Sequence, residues 1–114
     1  MKQGEIWSVD LDPTQGAEIR KTRPVIIVSD DSVGRLPLKI VVPLTDWKPH
    51  YAQAPWMVRV EPDQLTKLTK TSAADCFQVR SISDTRFVKL IGNVDRDSME
   101  KVREGLAGVL SIQI

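Results

Sequence analysis

The residues best suited to chemistry are concentrated in one segment, 9–24, that leads into an apolar run at 25–28. The segment reads VDLDPTQGAE over residues 9–18 and IRKTRP over residues 19–24. Carboxylates can exchange protons, and a guanidinium is a planar, permanently charged group that donates parallel hydrogen bonds to an anion. This combination predicts an active-site loop, because a structural hairpin needs fewer residues and less charge.

Arg23 is the first candidate in this loop. It stands at the junction between loop and strand, and Pro24 fixes the chain after it and favours an extended conformation at Arg23. The residues alone leave open whether Arg23 binds an anion or is a solvated arginine at a strand end.

Other catalytic classes are excluded by composition. The six glycines are scattered, so no phosphate-binding loop is present. One Cys and one His exclude a Cys/His zinc site, and they also exclude a mechanism that needs two histidines. Cys76 lies in a strand pattern, where a buried thiol is favoured over a nucleophile. No nucleophile-elbow sequence is present for Ser-His-Asp catalysis.

Length and charge predict one soluble domain spanning residues 1–114. Hydrophobic residues make up 41% of the chain, enough to fill a core, and charged residues make up 27%. The net charge of +1 gives no bulk signal for nucleic-acid binding, which would need a local basic patch. One cysteine, no signal-peptide pattern and no apolar run of membrane-spanning length predict a cytoplasmic location without membrane association.

The elements that must position these residues are mostly short strands. Apolar stretches predict strands at 4–11, 24–29, 38–44, 56–60, 75–82 and 87–91, with loops at 30–37 and 48–55 and one helical turn at 62–68. The second loop, with two prolines, is predicted to be mobile. From Asp95 the period becomes helical through Met99, Val102, Leu106, Val109 and Leu110, with Asp95 or Asp97 as the cap. Five to seven short strands and one closing helix predict a mainly β fold, a small and strongly bent barrel.

Several motifs taken together resemble the MazF/PemK/Kid toxins. They are GEIW at 4–7, DLDP at 10–13, GAE at 16–18, TRPV at 22–25, VPLT at 42–45, and TS at 71–72 with QVRSI at 78–82. No single tetrapeptide is specific, but their order and spacing match the family over nearly the whole chain, including the closing helix.

The resemblance implies an SH3-like barrel that forms a homodimer and acts as the toxin of a type II toxin–antitoxin system. The implied activity is sequence-specific cleavage of single-stranded RNA, without metal or cofactor, to 2′,3′-cyclic phosphate and 5′-hydroxyl ends. The implied partner is an antitoxin with an acidic C-terminal segment that blocks the site.

The resemblance also assigns catalytic roles. It places the family's catalytic arginine at Arg23, where a guanidinium would stabilise the extra charge of the phosphorane. Thr45 would hold a phosphate oxygen or the 2′-hydroxyl, although a threonine ending a strand is often only a turn residue. Glu18 would accept the 2′-hydroxyl proton or orient Arg23, and an exposed glutamate with a pKa of about 4.3 is a weak base.

The third motif supplies expected RNA contacts at Ser72, Gln78 and Arg80. Gln78 offers both a donor and an acceptor to a base edge, and Arg80 offers a charge to phosphate. Phe77 stands where the best-known members carry an acid, so a mechanism using that acid does not transfer. Phe77 is expected in the core, with a stacking surface as the alternative. Asp75 is expected to be a solvated residue at a strand start, with substitution for the missing acid as the alternative.

Two further groups are candidates for RNA binding. Aromatic residues near the 48–55 loop could stack on bases, with Trp56 in the core as the alternative; they are Trp47, His50, Tyr51 and Trp56, beside Lys48. Scattered cations could form an RNA path or be ordinary surface; they are Arg20, Lys21, Lys48, Lys67, Lys70 and Arg86.

Two alternative functions remain at this level. One is a non-catalytic binding module on the same fold, such as a toxin that poisons gyrase. The other, disfavoured by the presence of Arg23 and Thr45, is a relative whose catalytic loop has decayed.

Overall fold

The chain is mainly β with one closing helix, as predicted. The structure, a computed structural model, describes residues 1–33 and 36–113. Within them, seven strands and one α-helix follow in the order β1 (Glu5–Asp10), β2 (Thr22–Ile27), β3 (Leu38–Asp46), β4 (Met57–Val60), β5 (Ser72–Asp75), β6 (Arg80–Ser83), β7 (Phe87–Asn93) and α1 (Arg96–Leu110). Four 3-10 helices complete this described part, at Asp31–Val33, Pro49–Gln53, Cys76–Gln78 and Asp84–Arg86.

The strands form one antiparallel sheet in the order β4-β5-β3-β2-β1-β7, with β6 also paired to β3. Strand β3 is the centre of this arrangement, because β2 pairs along one edge while β5 and β6 share the other. The ends of β2, β3 and β5 therefore meet at one rim of the sheet.

The strand predicted at 75–82 is wrong in its middle, where a 3-10 turn at Cys76–Gln78 separates β5 from β6. Leu44 pairs with Ala74 and Val41 pairs with Arg80, so the five residues 75–79 lie opposite only two residues of β3. The three extra residues form the turn, and the Asp75 carboxylate stabilises it by accepting the Phe77 N–H at 3.1 Å.

The turn reverses two expectations from the sequence. Phe77, expected in the core, has 69% of its surface exposed, because the turn directs it outward. Asp75, expected to be solvated, is only 5% exposed. Trp56 also lies at the surface, so the core alternative for that residue is wrong.

Strand β2 is buried on both faces, as its continuous apolar sequence predicts. Ile26 packs in one cluster with Val42 and Leu44, beneath the helix. Val25 and Ile27 pack in a second cluster on the opposite face of the sheet. This double burial fixes β2, and with it the position of the loop that precedes it.

Helix α1 begins and ends with recognisable caps. The Asp95 carboxylate accepts the Ser98 N–H at 2.7 Å, which confirms Asp95 as the cap, and Ser111 closes the helix in a left-handed conformation. Val102 is buried against the thiol of Cys76, whose Sγ contacts the Val102 carbonyl oxygen at 3.6 Å. Cys76 is fully buried, which confirms the predicted buried thiol, and this burial raises its pKa to about 12.

The predicted loops are partly structured. The 48–55 loop contains the 3-10 helix Pro49–Gln53, and the predicted turn at 62–68 is present, with Lys67 N donating to the Asp63 carbonyl at 3.0 Å. The predicted loop 30–37 includes residues 34 and 35, which lie outside the described residues. Across 1–33 and 36–113, no helix combines the length and apolar character needed to cross a bilayer.

Candidate active site

A cleft of about 80 Å³ opens where three neighbouring strands meet, and we call it the rim cleft. Arg23 comes from the start of β2, Thr45 from the end of β3 and Ser72 from the start of β5. Thr45 pairs with Ala73 of β5. Strands β2 and β3 pair Val25 with Pro43, and continuing this antiparallel register by two residues places Arg23 opposite Thr45. The sheet itself therefore brings together three residues predicted from the sequence.

The Arg23 side chain is half-buried and held by its own loop. Its Nε lies 3.4 Å from the Arg20 carbonyl oxygen, to which it donates. Within residues 1–33 and 36–113, no carboxylate lies at ion-pair distance from Arg23. The guanidinium is thus positioned by the backbone while its charge is available to an anion in the cleft.

An ion pair that the sequence analysis missed lines the same cleft. Lys70 Nζ lies 3.1 Å from the nearest Asp46 carboxylate oxygen, and both side chains are more than half exposed. Ser72 Oγ donates to the Lys70 carbonyl at 3.1 Å, which ties β5 to this corner. The position of Asp46 directly after Thr45 was the one available signal for its place in the site.

A second cleft, of about 440 Å³, lies beside the β1–β2 loop, and we call it the loop cleft. Its walls include Glu18, Phe77, Gln78 and Arg80. The Glu18 carboxylate is exposed and accepts the Gln15 N–H at 2.6 Å, so it caps a turn within its own loop. Glu18, predicted either to accept the 2′-hydroxyl proton or to orient Arg23, lines a different cleft from Arg23.

Gln78 holds the loop with both ends of its amide. Its Oε1 accepts the Ile19 N–H at 2.6 Å, and its Nε2 donates to the Ala17 carbonyl at 3.2 Å. The donor and acceptor that we predicted for a base edge are therefore engaged with backbone on either side of Glu18.

Two arginines predicted to bind RNA also contact the loop backbone. Arg80 Nη1 donates to the Leu11 carbonyl at 3.3 Å, and Arg86 Nη1 donates to the carbonyls of Asp10 and Asp12. Together with Gln78, these side chains attach the β1–β2 loop to the body of the protein. Each arginine keeps further N–H donors beyond these bonds.

The remaining predicted RNA-binding residues are spread over the surface. Arg20, Lys21 and Lys48 are exposed, and Lys21 has a positive φ of 71°. Near Lys48 the Trp47 and Tyr51 rings pack edge to face with centroids 5.9 Å apart, and Arg59 lies over Trp47. These contacts join the three side chains into one cluster.

Electrostatics single out one carboxylate near the site. Burial raises the pKa of Asp75, while hydrogen bonds from Phe77 and Gln78 act in the opposite direction. In the described part of the chain, no group of three His, Cys, Asp or Glu side chains is placed to hold a metal ion.

Fold and site together define a class, that of small β-rich domains with an arginine-lined cleft at the ends of three adjacent strands. The family described as PemK-like, MazF-like toxins of type II toxin–antitoxin systems matches residues 2–110. The chain belongs to this family.

Similarity to individual relatives supports the family assignment. The chain is 33% identical to endoribonuclease MazF9 of Mycobacterium tuberculosis over 93% of its length and 92% of that protein. It is 34% identical to endoribonuclease PemK of Escherichia coli, over 97% and 83% of the two chains. Among solved structures, MazF of Deinococcus radiodurans has a TM-score of 0.80 at 22% identity, covering 97% of this chain and 96% of that one. The predicted family and fold are confirmed.

Proposed function

We propose that this protein is a toxin that cleaves single-stranded RNA at specific short sequences without a metal ion. The observation that carries the proposal is the convergence of Arg23, Thr45 and Ser72 in the rim cleft. The endoribonuclease class predicted from the sequence agrees with the names of both curated relatives.

The reaction is an internal transesterification. The 2′-oxygen forms a bond to the adjacent phosphorus, its proton passes to a base, and the phosphorus–O5′ bond breaks as O5′ takes up a proton. The products are a 2′,3′-cyclic phosphate and a 5′-hydroxyl. Arg23 stabilises the dianionic phosphorane, and Thr45 donates its hydroxyl to a phosphate oxygen or positions the 2′-hydroxyl.

Arg23 acts through its charge and not by transferring a proton, because a guanidinium stays protonated at all working pH values. Glu18 accepts a backbone N–H within its loop, and its carboxylate is exposed. We assign Glu18 to the loop that flanks the substrate. Because Glu18 and Arg23 line different clefts, Glu18 is not assigned to orient Arg23, and it accepts the 2′-hydroxyl proton only if the RNA strand passes through both clefts. Ser72 holds the RNA strand in the rim cleft. Cations around both clefts attract the phosphate backbone of the RNA.

The proposal includes the family's partners. A mycobacterial endoribonuclease with this fold was solved in complex with its cognate antitoxin, with a TM-score of 0.78 to this chain. We propose a cognate antitoxin with an acidic C-terminal segment for this toxin, a homodimer as the active form, and the cytoplasm as its location.

A long single-stranded transcript incubated with the protein in EDTA tests the activity. Primer extension should map cuts at a recurring short sequence, and end analysis should find cyclic phosphate and 5′-hydroxyl groups. A long transcript is needed because a short oligonucleotide can lack the recognised sequence. The absence of cuts at high protein concentration would contradict the nuclease and favour a non-catalytic binding module.

A further inference from the structure

Phe77 is an exposed aromatic ring in the wall of the loop cleft. Its exposed fraction is 69%, the largest among the exposed large hydrophobic residues of the described chain. Gln78 and Arg80 line the same cleft, so an apolar ring and an arginine side chain share the walls of a space of about 440 Å³.

The ring is exposed on a fixed turn and not on a loose loop. Asp75 accepts the Phe77 N–H at 3.1 Å, and the neighbouring Cys76 is fully buried against α1. Trp56 lies against one side of Phe77, with ring centroids 6.2 Å apart and planes inclined by 60°. The turn therefore fixes the backbone that carries the ring, and Trp56 contacts the ring itself, so less conformational entropy is lost when a ligand binds.

We propose that Phe77 is a stacking platform for one nucleobase of the single-stranded RNA, a role that rests on the function proposed above. Unpaired RNA bases are commonly bound by stacking on exposed aromatic side chains. Since the Gln78 amide is engaged with Ala17 and Ile19, stacking at this position contributes affinity and little base identity.

The test is a binding measurement on RNA that cannot be cut. The probe is a fluorescent oligoribonucleotide that spans a mapped cut site and carries 2′-deoxyribose at the cleaved nucleotide. If no cut site is found, the probe is a random-sequence pool. Phe77→Leu should weaken binding by about 5- to 150-fold, the range expected for losing one stacked base. Phe77→Tyr keeps the ring and should bind within about twofold of wild type.

An abasic scan identifies the stacked position on the defined probe. Removing one particular base should weaken binding to wild type as much as Phe77→Leu does, and should have no further effect on that variant. Equal affinity of Phe77→Leu and wild type would overturn the stacking proposal. RNA cleavage by the wild type in the same preparation would show that the proposed function survives that result.

Two controls distinguish base stacking from a loss of folding and from a contact between protein copies. Because the side chain is largely exposed, the melting temperature of Phe77→Leu should match that of wild type. Phe77→Leu could instead shift sedimentation toward monomer. If, in addition, no abasic position weakens RNA binding as much as Phe77→Leu does, and Phe77→Leu binds the pool like wild type, then the ring is a contact between copies and the proposal is overturned. If the wild type cuts no RNA while Phe77→Leu still weakens binding to the pool, only the nuclease proposal fails.

Discussion

At the residue scale, Asp75 combines a structural role with an unfavourable charge. Its carboxylate stabilises the turn that exposes Phe77, and burial raises its pKa above the ordinary value of 3.8. The protonated form is thus favoured more in the folded protein than in the unfolded chain. Asp75 consequently contributes stability below its unfolded pKa that is lost as the pH rises through its folded pKa.

Asp75→Asn tests this carboxylate by pH dependence. Asparagine keeps the oxygen that accepts the Phe77 N–H and cannot ionise. The free energy of unfolding of wild type relative to Asp75→Asn should fall as the pH rises from about 4 through the raised pKa of Asp75. Urea unfolding of both proteins across this window measures the difference.

Subtracting the free energy of unfolding of Asp75→Asn from that of wild type cancels the contributions of other carboxylates, some of which stabilise the protein more as the pH rises. Hydrogen bonds lower the pKa of Asp95 and of Glu61, whose contributions rise with pH in both proteins. A relative stability that stays flat or rises with pH would show that Asp75 is not buried as described.

At the element scale, the β1–β2 loop is held by side chains from a distant part of the sequence. The bond from the Ile19 N–H to Gln78 Oε1 crosses 59 residues of sequence and fixes the loop beside Glu18. This amide can be followed individually, which makes the contact testable.

Gln78→Leu should release the loop. We expect the hydrogen exchange of the Ile19 amide to accelerate by about 5- to 10-fold, the loss expected for one net hydrogen bond of about 1 kcal/mol. Gln78→Glu keeps an acceptor for Ile19 and should retain more of the protection. Unchanged exchange in Gln78→Leu, measured by NMR, would mean that the loop is held by other contacts.

Two glycines one turn apart on α1 probe how the helix packs. A Cβ at Gly105 would lie 2.8 Å from Cys76 Sγ, whereas a Cβ at Gly108 meets no described atom within 4 Å. Gly108→Ala should stabilise the protein by about 0.5–1 kcal/mol through helix propensity. Gly105→Ala should destabilise it by about 1–3 kcal/mol through overpacking. Urea denaturation of the pair checks the opposite signs, and equal effects would contradict the described packing.

Much of this architecture could be predicted from local patterns. The apolar run of β2 and the cap at Asp95 each depend on residues that are adjacent in sequence, so both can be predicted from the sequence. The turn at 76–78 was missed, because alternation through Cys76 and Gln78 is also typical of a strand. The available signal was an aspartate that can bond the N–H two residues later, as Asp75 does.

The arrangement of the site was less accessible. Arg23 and Thr45 could be identified by their motifs, but their meeting depends on strand order, which local patterns do not specify. The loop contacts of Gln78 and Arg86 join positions more than 55 residues apart, so local patterns did not indicate them. The RNA contact expected at Gln78 came from the family motif, and the one expected at Arg86 came from its charge.

At the scale of the whole molecule, the predicted homodimer can be measured directly. Sedimentation velocity at micromolar concentration should show a species of twice the chain mass of 12.8 kDa. A single monomeric species at that concentration would contradict the dimer, while leaving the rim cleft in place.

The Arg23 guanidinium is proposed to stabilise the phosphorane without a metal ion. Single-turnover cleavage of a mapped RNA site in EDTA measures it most directly, with Arg23→Ala compared to Arg96→Ala, which removes the same charge from the exposed start of α1. We predict that Arg23→Ala is slower by about 10²- to 10³-fold while Arg96→Ala cuts at the wild-type rate. Cleavage by Arg23→Ala at the wild-type rate would contradict the account.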